Sequence, residues 1–385
     1  MRNLATFLLL VALFGSSCSS TLHHIFDNKT PHEKYADKLD DTGLEDTPDG
    51  RLWLAASQKA LSDAQSIQLP YSQHGYFHSD KPRALGLEFK AKQGERITFH
   101  LTKKTGSRFA LYADLFKNGN SSSPLVSADT TSSQFSFDVN ETGVYTLRLQ
   151  PQLYHNGEYS LSVSVGPSLY FPVSGKKANV GSVWGDDRDG GKRSHEGIDI
   201  FAPKLTPVIA AADGYITGVS EGGLGGKTVW MKPTDKNIFL YYAHLDKQLV
   251  QEGQSVKTGD VLGLVGNTGN ARFTPAHLHF GVYTYSGAID PLPFVNRVIK
   301  TATTVSSKNL TGYLKVVKRQ KTSEGNMVRV NTFLIPLAIN SKGYIAELPD
   351  GKLIKVPTAS VQVVKQRTKP SEALVTTPAA ESRKS

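Results

Sequence analysis

The chain has 385 residues, 39% of them hydrophobic, with 34 Gly and 19 Pro. That is long enough for two or three cores and suits a turn-rich, β-dominated globular protein. The formal net charge of +10 is spread along the chain, including Lys103-Lys104, Lys176-Lys177 and Lys192-Arg193. It fits a solvated basic surface as well as contact with an anionic polymer. No stripe interleaves aromatic and basic residues, so nucleic acid is not expected as a partner. A single cysteine, Cys18, excludes an internal disulfide and a thiolate zinc site.

Arg2 is followed by an apolar run from Leu4 to Phe14 and then Gly15-Ser16-Ser17-Cys18. The run has the length of a signal-peptide core and is short for a bilayer span. Residues 1–18 resemble a bacterial lipoprotein signal, with Gly15 where a Leu is usual. The resemblance implies export and a lipid on Cys18, and Ser19 points to the outer membrane. Residues 19–50 are polar without a sustained period and are expected to be a tether. His23, His24 and His32 lie there and are expected to be solvated. From Arg51 to residue 66 the spacing is partly helical.

Residues 51–165 form the first domain, and from 70 on they read as strands. Ile97, Phe99 and Leu101 alternate with Thr98 and His100, and Phe135, Phe137 and Val139 with Ser136 and Asp138. Tyr145, Leu147 and Leu149 follow a Thr142-Gly143 turn; Tyr159, Leu161, Val163 and Val165 follow Asn156-Gly157. Period two between turns predicts a β-sandwich with one buried face per sheet. The run from Gly94 to Leu149 resembles the small pre-peptidase sandwich beside secreted bacterial peptidases. His74, His78, His100 and His155 lack metal spacing and are expected at surfaces or turns.

Residues 166–298 hold the four remaining histidines, in three short stretches. These are His195-Glu196-Gly197-Ile198-Asp199, Tyr242-Ala243-His244-Leu245 and His277-Leu278-His279. On an extended segment His195 and Asp199 share a parity opposite to Ile198 and Ile200, so both can face one point. His277 and His279 project from one face of a strand about 7 Å apart, so one can reach a metal while the other meets water or substrate. His244 follows the apolar run Ile238 to Tyr242, which places it at a strand end. The set supplies two nitrogens, one carboxylate and two spare imidazoles, the composition of a catalytic zinc site. Gly197 and Asp199 exclude the helical His-Glu-x-x-His site.

Together with Pro207 to Gly214, Gly253 to Asp260, Gly266-Asn267-Thr268-Gly269 and Pro275-Ala276, these stretches resemble the lysostaphin-like, LytM-type zinc metallopeptidases of family M23. The resemblance covers about 130 residues and is dense; Ala276 stands where Pro is usual. It implies an antiparallel-sheet peptidase domain with one Zn2+ per chain. His195, Asp199 and His279 would be the metal ligands, and His277 and His244 the catalytic pair. It further implies peptidoglycan peptides as substrate, cut at a cross-link or within a stem. An outer-membrane anchor favours a D-Ala to diaminopimelate bond. The competing reading is a non-catalytic envelope factor that binds the wall or activates another hydrolase; the five polar residues argue against it. A carrier-type fold, suggested by Val250 to Asp260, lacks the modified-lysine hairpin. Asn179 and Arg188 are candidates for substrate contact. Gly222 to Gly226 and Gly266 to Gly269 are expected as tight turns, and residues 166–184 as a possible shield of the site.

Residues 309–365 show another short β pattern, including Leu314 to Val316, Phe333 to Ile335, Gly343 to Ile345 and a Pro349-Asp350-Gly351 turn. They resemble a bacterial SH3-like barrel. Residues 366–385 are expected to be a disordered tail. The whole is expected to be mostly β: a sandwich, the antiparallel-sheet peptidase domain and a small barrel.

Overall fold

The structure, a computed structural model, describes residues 29–364 except 105–108, 119–122, 189, 322–324 and 326. The expected signal with Cys18, His23, His24 and the tail over 366–385 lie outside the described residues. Among the described residues no helix is long and apolar enough to cross a membrane.

The chain is mostly β, as its alternation predicts. Two helices come first: α1 (Pro31–Asp41) and α2 (Pro48–Ser62). This corrects the reading of 19–50 as a tether throughout. The start signals are local. Thr30 and Glu33 form a reciprocal capping box, and Thr47 caps α2 with Pro48 in its first turn. What keeps so polar a segment helical is tertiary. His32, expected to be solvated, is buried, stacked on Trp53 at 4.6 Å, and paired through Nε2 with Gln150 Oε1 at 2.7 Å. Trp53 is buried and donates from Nε1 to the Pro151 carbonyl.

The sandwich contains β1 (Tyr71–Phe77), β2 (Leu85–Ala91), β3 (Glu95–Lys103), β4 (Leu111–Lys117), β5 (Gln134–Asp138), β6 (Gly143–Pro151) and β7 (Gly157–Pro167). One sheet runs β1-β7-β3-β5 and the other is built on β2-β6-β4. Ile97, Phe99, Leu147, Leu149, Leu161 and Val163 fill the space between them. His74 departs from expectation: it is buried and bonds Ser160 and Ser307.

The middle domain is built on one antiparallel sheet. Its strands include β8 (Asn179–Ser182), β9 (Ile198–Phe201), β10 (Gly214–Gly222), β11 (Gly226–Pro233), β12 (Phe239–Gln248), β13 (Val261–Val265) and β14 (His277–Thr284). The spatial order is β8-β9-β14-β12-β11-β10, with β13 against β12. Ile198, Ile200, Met231, Leu240, Tyr242, Leu278, Phe280 and Val282 point to the core, so the alternate residues face outward.

The C-terminal strands β15 (Phe333–Asn340), β16 (Gly343–Glu347) and β17 (Leu353–Val356) do not close on themselves alone. β15 pairs antiparallel with β1, His74 opposite Ile339 and Gly75 opposite Ala338. The sandwich sheet therefore continues as β17-β16-β15-β1-β7-β3-β5. Ala338 and Ile345 belong to the sandwich core, and the buried Arg83 donates to Glu347 at 2.7 Å. The middle domain is thus inserted between two parts of one frame. Asp138 of β5 binds both Arg96 of the frame and Lys236 of the middle domain.

Candidate metal centre and active site

Two adjacent strands set the site. β9 and β14 pair antiparallel with Asp199 directly opposite His279, so both side chains leave the same face. His195, four residues before Asp199, folds back over them. Its passage is tight: a Cβ on Gly197 would lie 2.6 Å from the His279 ring and 2.8 Å from the Phe280 carbonyl. Glycine is required there by space.

Three donor atoms converge. His195 Nε2 lies 3.1 Å from Asp199 Oδ1 and 3.0 Å from His279 Nδ1, and His279 Nδ1 lies 3.0 Å from Asp199 Oδ1. Tetrahedral ligation at about 2.0–2.1 Å spaces ligands by roughly 3.3–3.4 Å, so the triangle is close to the size a zinc ion needs. Its chemistry agrees. His195 Nδ1 donates to the Val183 carbonyl at 2.8 Å, leaving Nε2 as a lone pair facing a carboxylate oxygen. Acceptors facing acceptors call for a cation at their centre.

An outer ring of bonds holds the triangle. Arg188 Nη2 donates to Asp199 Oδ2 at 2.8 Å and to Ser182 Oγ at 2.7 Å; Ser182 Oγ donates to Asp186. Arg188, a candidate for substrate contact, instead binds the carboxylate oxygen that faces away from the histidines. Asn179 is exposed and does not line the cleft. Of residues 166–184, Ser182 reaches the cleft wall.

The other two histidines stand beside the triangle. His277 Nε2 lies 3.9 Å from Asp199 Oδ1, and its Nδ1 donates to the Pro275 carbonyl at 2.9 Å. His244 Nδ1 donates to the Thr268 carbonyl at 2.9 Å. Each ring is thereby fixed with Nε2 as its free acceptor. Their ring centroids are 5.1 Å apart, and His244 lies 5.8 Å from His279. Burial, then the neighbouring His277 and His279, lowers the His244 pKa to about 4, so its ring is neutral near pH 7. The strand does not end at His244, as the sequence suggests, but kinks through it at φ 62°. A non-glycine residue in this region costs on the order of 1–3 kcal/mol and is held by its surroundings. Here the His244 N–H bonds the Gly225 carbonyl. The two glycine stretches serve as turns and as walls: Gly222 pairs with Gly226 across a hairpin whose Leu224 and Gly225 line the cleft.

All five residues singled out from the sequence open onto one cleft of 780 Å³, with Tyr241, Tyr283 and Glu196 on its wall. The sequence reading missed Ser182, Asp186 and the tyrosines. Asp186-x-Arg188 seven residues before His195 is a weak signal, and the tyrosines resemble any outward strand positions.

A metal triangle with two histidines beside it, on an antiparallel sheet, defines a candidate hydrolytic metal centre. Residues 193–291 match the model of peptidase family M23, so the chain carries a domain of that family. It is 36% identical over 124 residues to the L-Ala–D-Glu endopeptidase of Bacillus subtilis (strain 168), covering 29% of this chain and 38% of that one. It is 36% identical over 126 residues to the glycyl-glycine endopeptidase ALE-1 of Staphylococcus capitis, covering 31% and 34%. The solved catalytic domain of the antimicrobial peptidase lysostaphin from Staphylococcus simulans is 33% identical, with a TM-score of 0.28, covering 30% of this chain and 90% of that one. The chain thus spans little more than a third of the length of these two curated relatives.

Proposed function

We propose that the chain is a zinc-dependent endopeptidase that hydrolyses peptide bonds of bacterial peptidoglycan, in a cross-link or a stem. The observation that carries the reading is the convergence of His195, Asp199 and His279 within 3.1 Å of one another, with His244 and His277 aimed at the same cleft. A zinc ion held by those three residues would act as a Lewis acid, activating water and polarising the scissile carbonyl. The remaining work falls to the chain's own groups. Of the imidazoles His277 and His244, one accepts the water proton at Nε2, because each Nδ1 proton is held by a backbone carbonyl. The other hydrogen-bonds the developing oxyanion or protonates the leaving amine. Arg188 keeps Asp199 oriented.

Substrate and setting follow from the relatives' names and from the N-terminal pattern. Two relatives are named for different bonds, so the domain supports the wall peptide as substrate class without selecting the bond. A lipid on Cys18 would hold the enzyme on a membrane facing the wall, in the outer-membrane setting that Ser19 suggests. We propose 166–298 as the catalytic unit, the sandwich of 51–165 and the strands of 309–365 as its frame, and a function without nucleic acid.

The test is digestion of defined muropeptides by the full chain, with and without a chelator, read by mass spectrometry. Products that vanish with chelator and return with zinc support the reading. No chelator-sensitive product overturns it.

A further inference from the structure

The outward face of the middle sheet carries a row of rings that neither the metal centre nor the proton transfers use. Directly opposed residues share a face. Gly218 opposes Trp230, Trp230 opposes Tyr241, and Tyr241 opposes Gly281. Two residues along β14 from Gly281 in one direction stands His279, a member of the metal triangle; two residues in the other stands Tyr283, opposite Phe239. The face that holds the metal site therefore continues as an aromatic surface across β14, β12 and β11, bordered by Gly218 of β10.

The rings are in contact. Trp230 lies 4.4 Å from Tyr241 and 5.1 Å from Tyr283, and Tyr241 lies 6.0 Å from the His279 ring. Glycines flatten the row. A Cβ on Gly281 would lie 2.7 Å from the Tyr283 ring and 3.5 Å from Tyr241 Cβ, so Tyr283 lies down across the strand. A Cβ on Gly218 would approach nothing closer than Trp230, at 3.8 Å. Lys232 sits at the margin with Nζ 5.2 Å from the Phe239 centroid. Two strand spacings of about 4.8 Å, from β14 to β11, make the track roughly 10 Å wide, starting at the metal site.

We propose that this track binds the sugar rings of the glycan strand that carries the scissile peptide. The inference rests on the peptidoglycan reading above. The chemistry favours a sugar over a second stretch of peptide. β11 and β12 are paired on both sides, so their backbone groups are used and cannot add an extended peptide as a new strand. Recognition must come from side chains standing on the sheet. These offer ring faces for the C–H face of a pyranose, and tyrosine hydroxyls and one ammonium for its rim of hydroxyls. The row itself carries no carboxylate, and Glu196 stands beside Tyr283 where the row meets the cleft. The track is continuous with the cleft, and a sugar joined through its stem peptide to the scissile bond must lie within a few residues' reach of it.

The test uses the full chain, its Trp230→Ala and Trp230→Phe variants, and two substrates. One is a cross-linked stem peptide freed of sugar; the other is the same peptide still bearing its disaccharide. The wild type is expected to show a KM about five- to tenfold lower for the sugar-bearing substrate at similar kcat. Trp230→Ala erases that difference while cutting the free peptide as the wild type does, and Trp230→Phe restores most of it. Binding is read separately from cleavage, by quenching of tryptophan fluorescence with glycan strands stripped of peptide. Saturable quenching that Trp230→Ala abolishes supports the track. Equal KM values in the wild type, or equal losses on both substrates in Trp230→Ala, overturn it and assign the rings to the peptide. If neither substrate is cut, the peptidase reading fails, and the quenching alone decides the track: no quenching overturns it.

Discussion

Two of the regions that bury histidine use it in opposite ways. Under the N-terminal helices His32 lies between Trp53 and Gln150, its Nε2 turned into the protein to meet an amide oxygen. In the cleft His195, His244 and His277 are equally buried, yet each spends Nδ1 on a backbone carbonyl and turns Nε2 toward shared open space. Burial alone does not separate a structural histidine from a chemical one. The direction of the second nitrogen does, because a ring anchored at one atom is pre-oriented and still has a lone pair to offer.

Removing a member of the metal triangle presses hardest on this contrast. Asp199→Ala or His195→Ala is expected to purify without zinc by elemental analysis and to lose more than about 10^4-fold in peptidase rate. His32→Gln should keep its zinc. The beside-the-metal pair comes next. His277→Ala or His244→Ala is expected to retain stoichiometric zinc while kcat falls about 10^2- to 10^4-fold. A His277→Ala enzyme with bound zinc and full activity would break the division of labour drawn above.

The structural histidine is tested by pH. Burial first, then the charge of Arg148, pushes the His32 pKa down to about 4 from 6.5. The unfolded chain therefore takes up a proton near pH 6.5 that the folded chain refuses until about pH 4. The associated stability is present above pH 6.5, falls as pH drops toward 4, and levels off below, a change of roughly 3 kcal/mol. Denaturant melts of wild type and His32→Gln between pH 7.5 and 4 should diverge by that slope. Parallel curves would mean that His32 is not held neutral. The smallest effect is expected at Arg188. Arg188→Gln should weaken zinc binding about 10- to 100-fold in a chelator competition, with the melting temperature of the metal-free protein unchanged. Unchanged zinc affinity would reduce the Arg188–Asp199 bond to a surface contact.

Much of the molecule was legible before any coordinates. The alternation of Ile97-Phe99-Leu101 and of Tyr159 to Val165 marked strands that the structure buries on the expected side. The parity of His195 with Asp199, and of His277 with His279, put each pair on one face. What escaped were features that depend on partners far away in sequence. Residues 31–41 looked like tether because their composition is polar; their helix is held by Trp53, Tyr112 and Gln150, which no local pattern links to His32. The C-terminal strands resembled a free-standing module because their edge toward β1 is backbone, and backbone carries no residue signature.

The sequence by itself determined the donor set, the strand faces and the glycine at 197, since these follow from residue type, spacing and the two-residue pleat. The tertiary structure decided which of the paired histidines enters the metal triangle, the kink that turns His244 into the cleft, and the hold of Arg188 on Asp199. It also decided the row of rings across three strands. Each of these requires segments separated by tens of residues to come within a few ångströms, and that closeness is set by strand pairing and core packing over the whole domain.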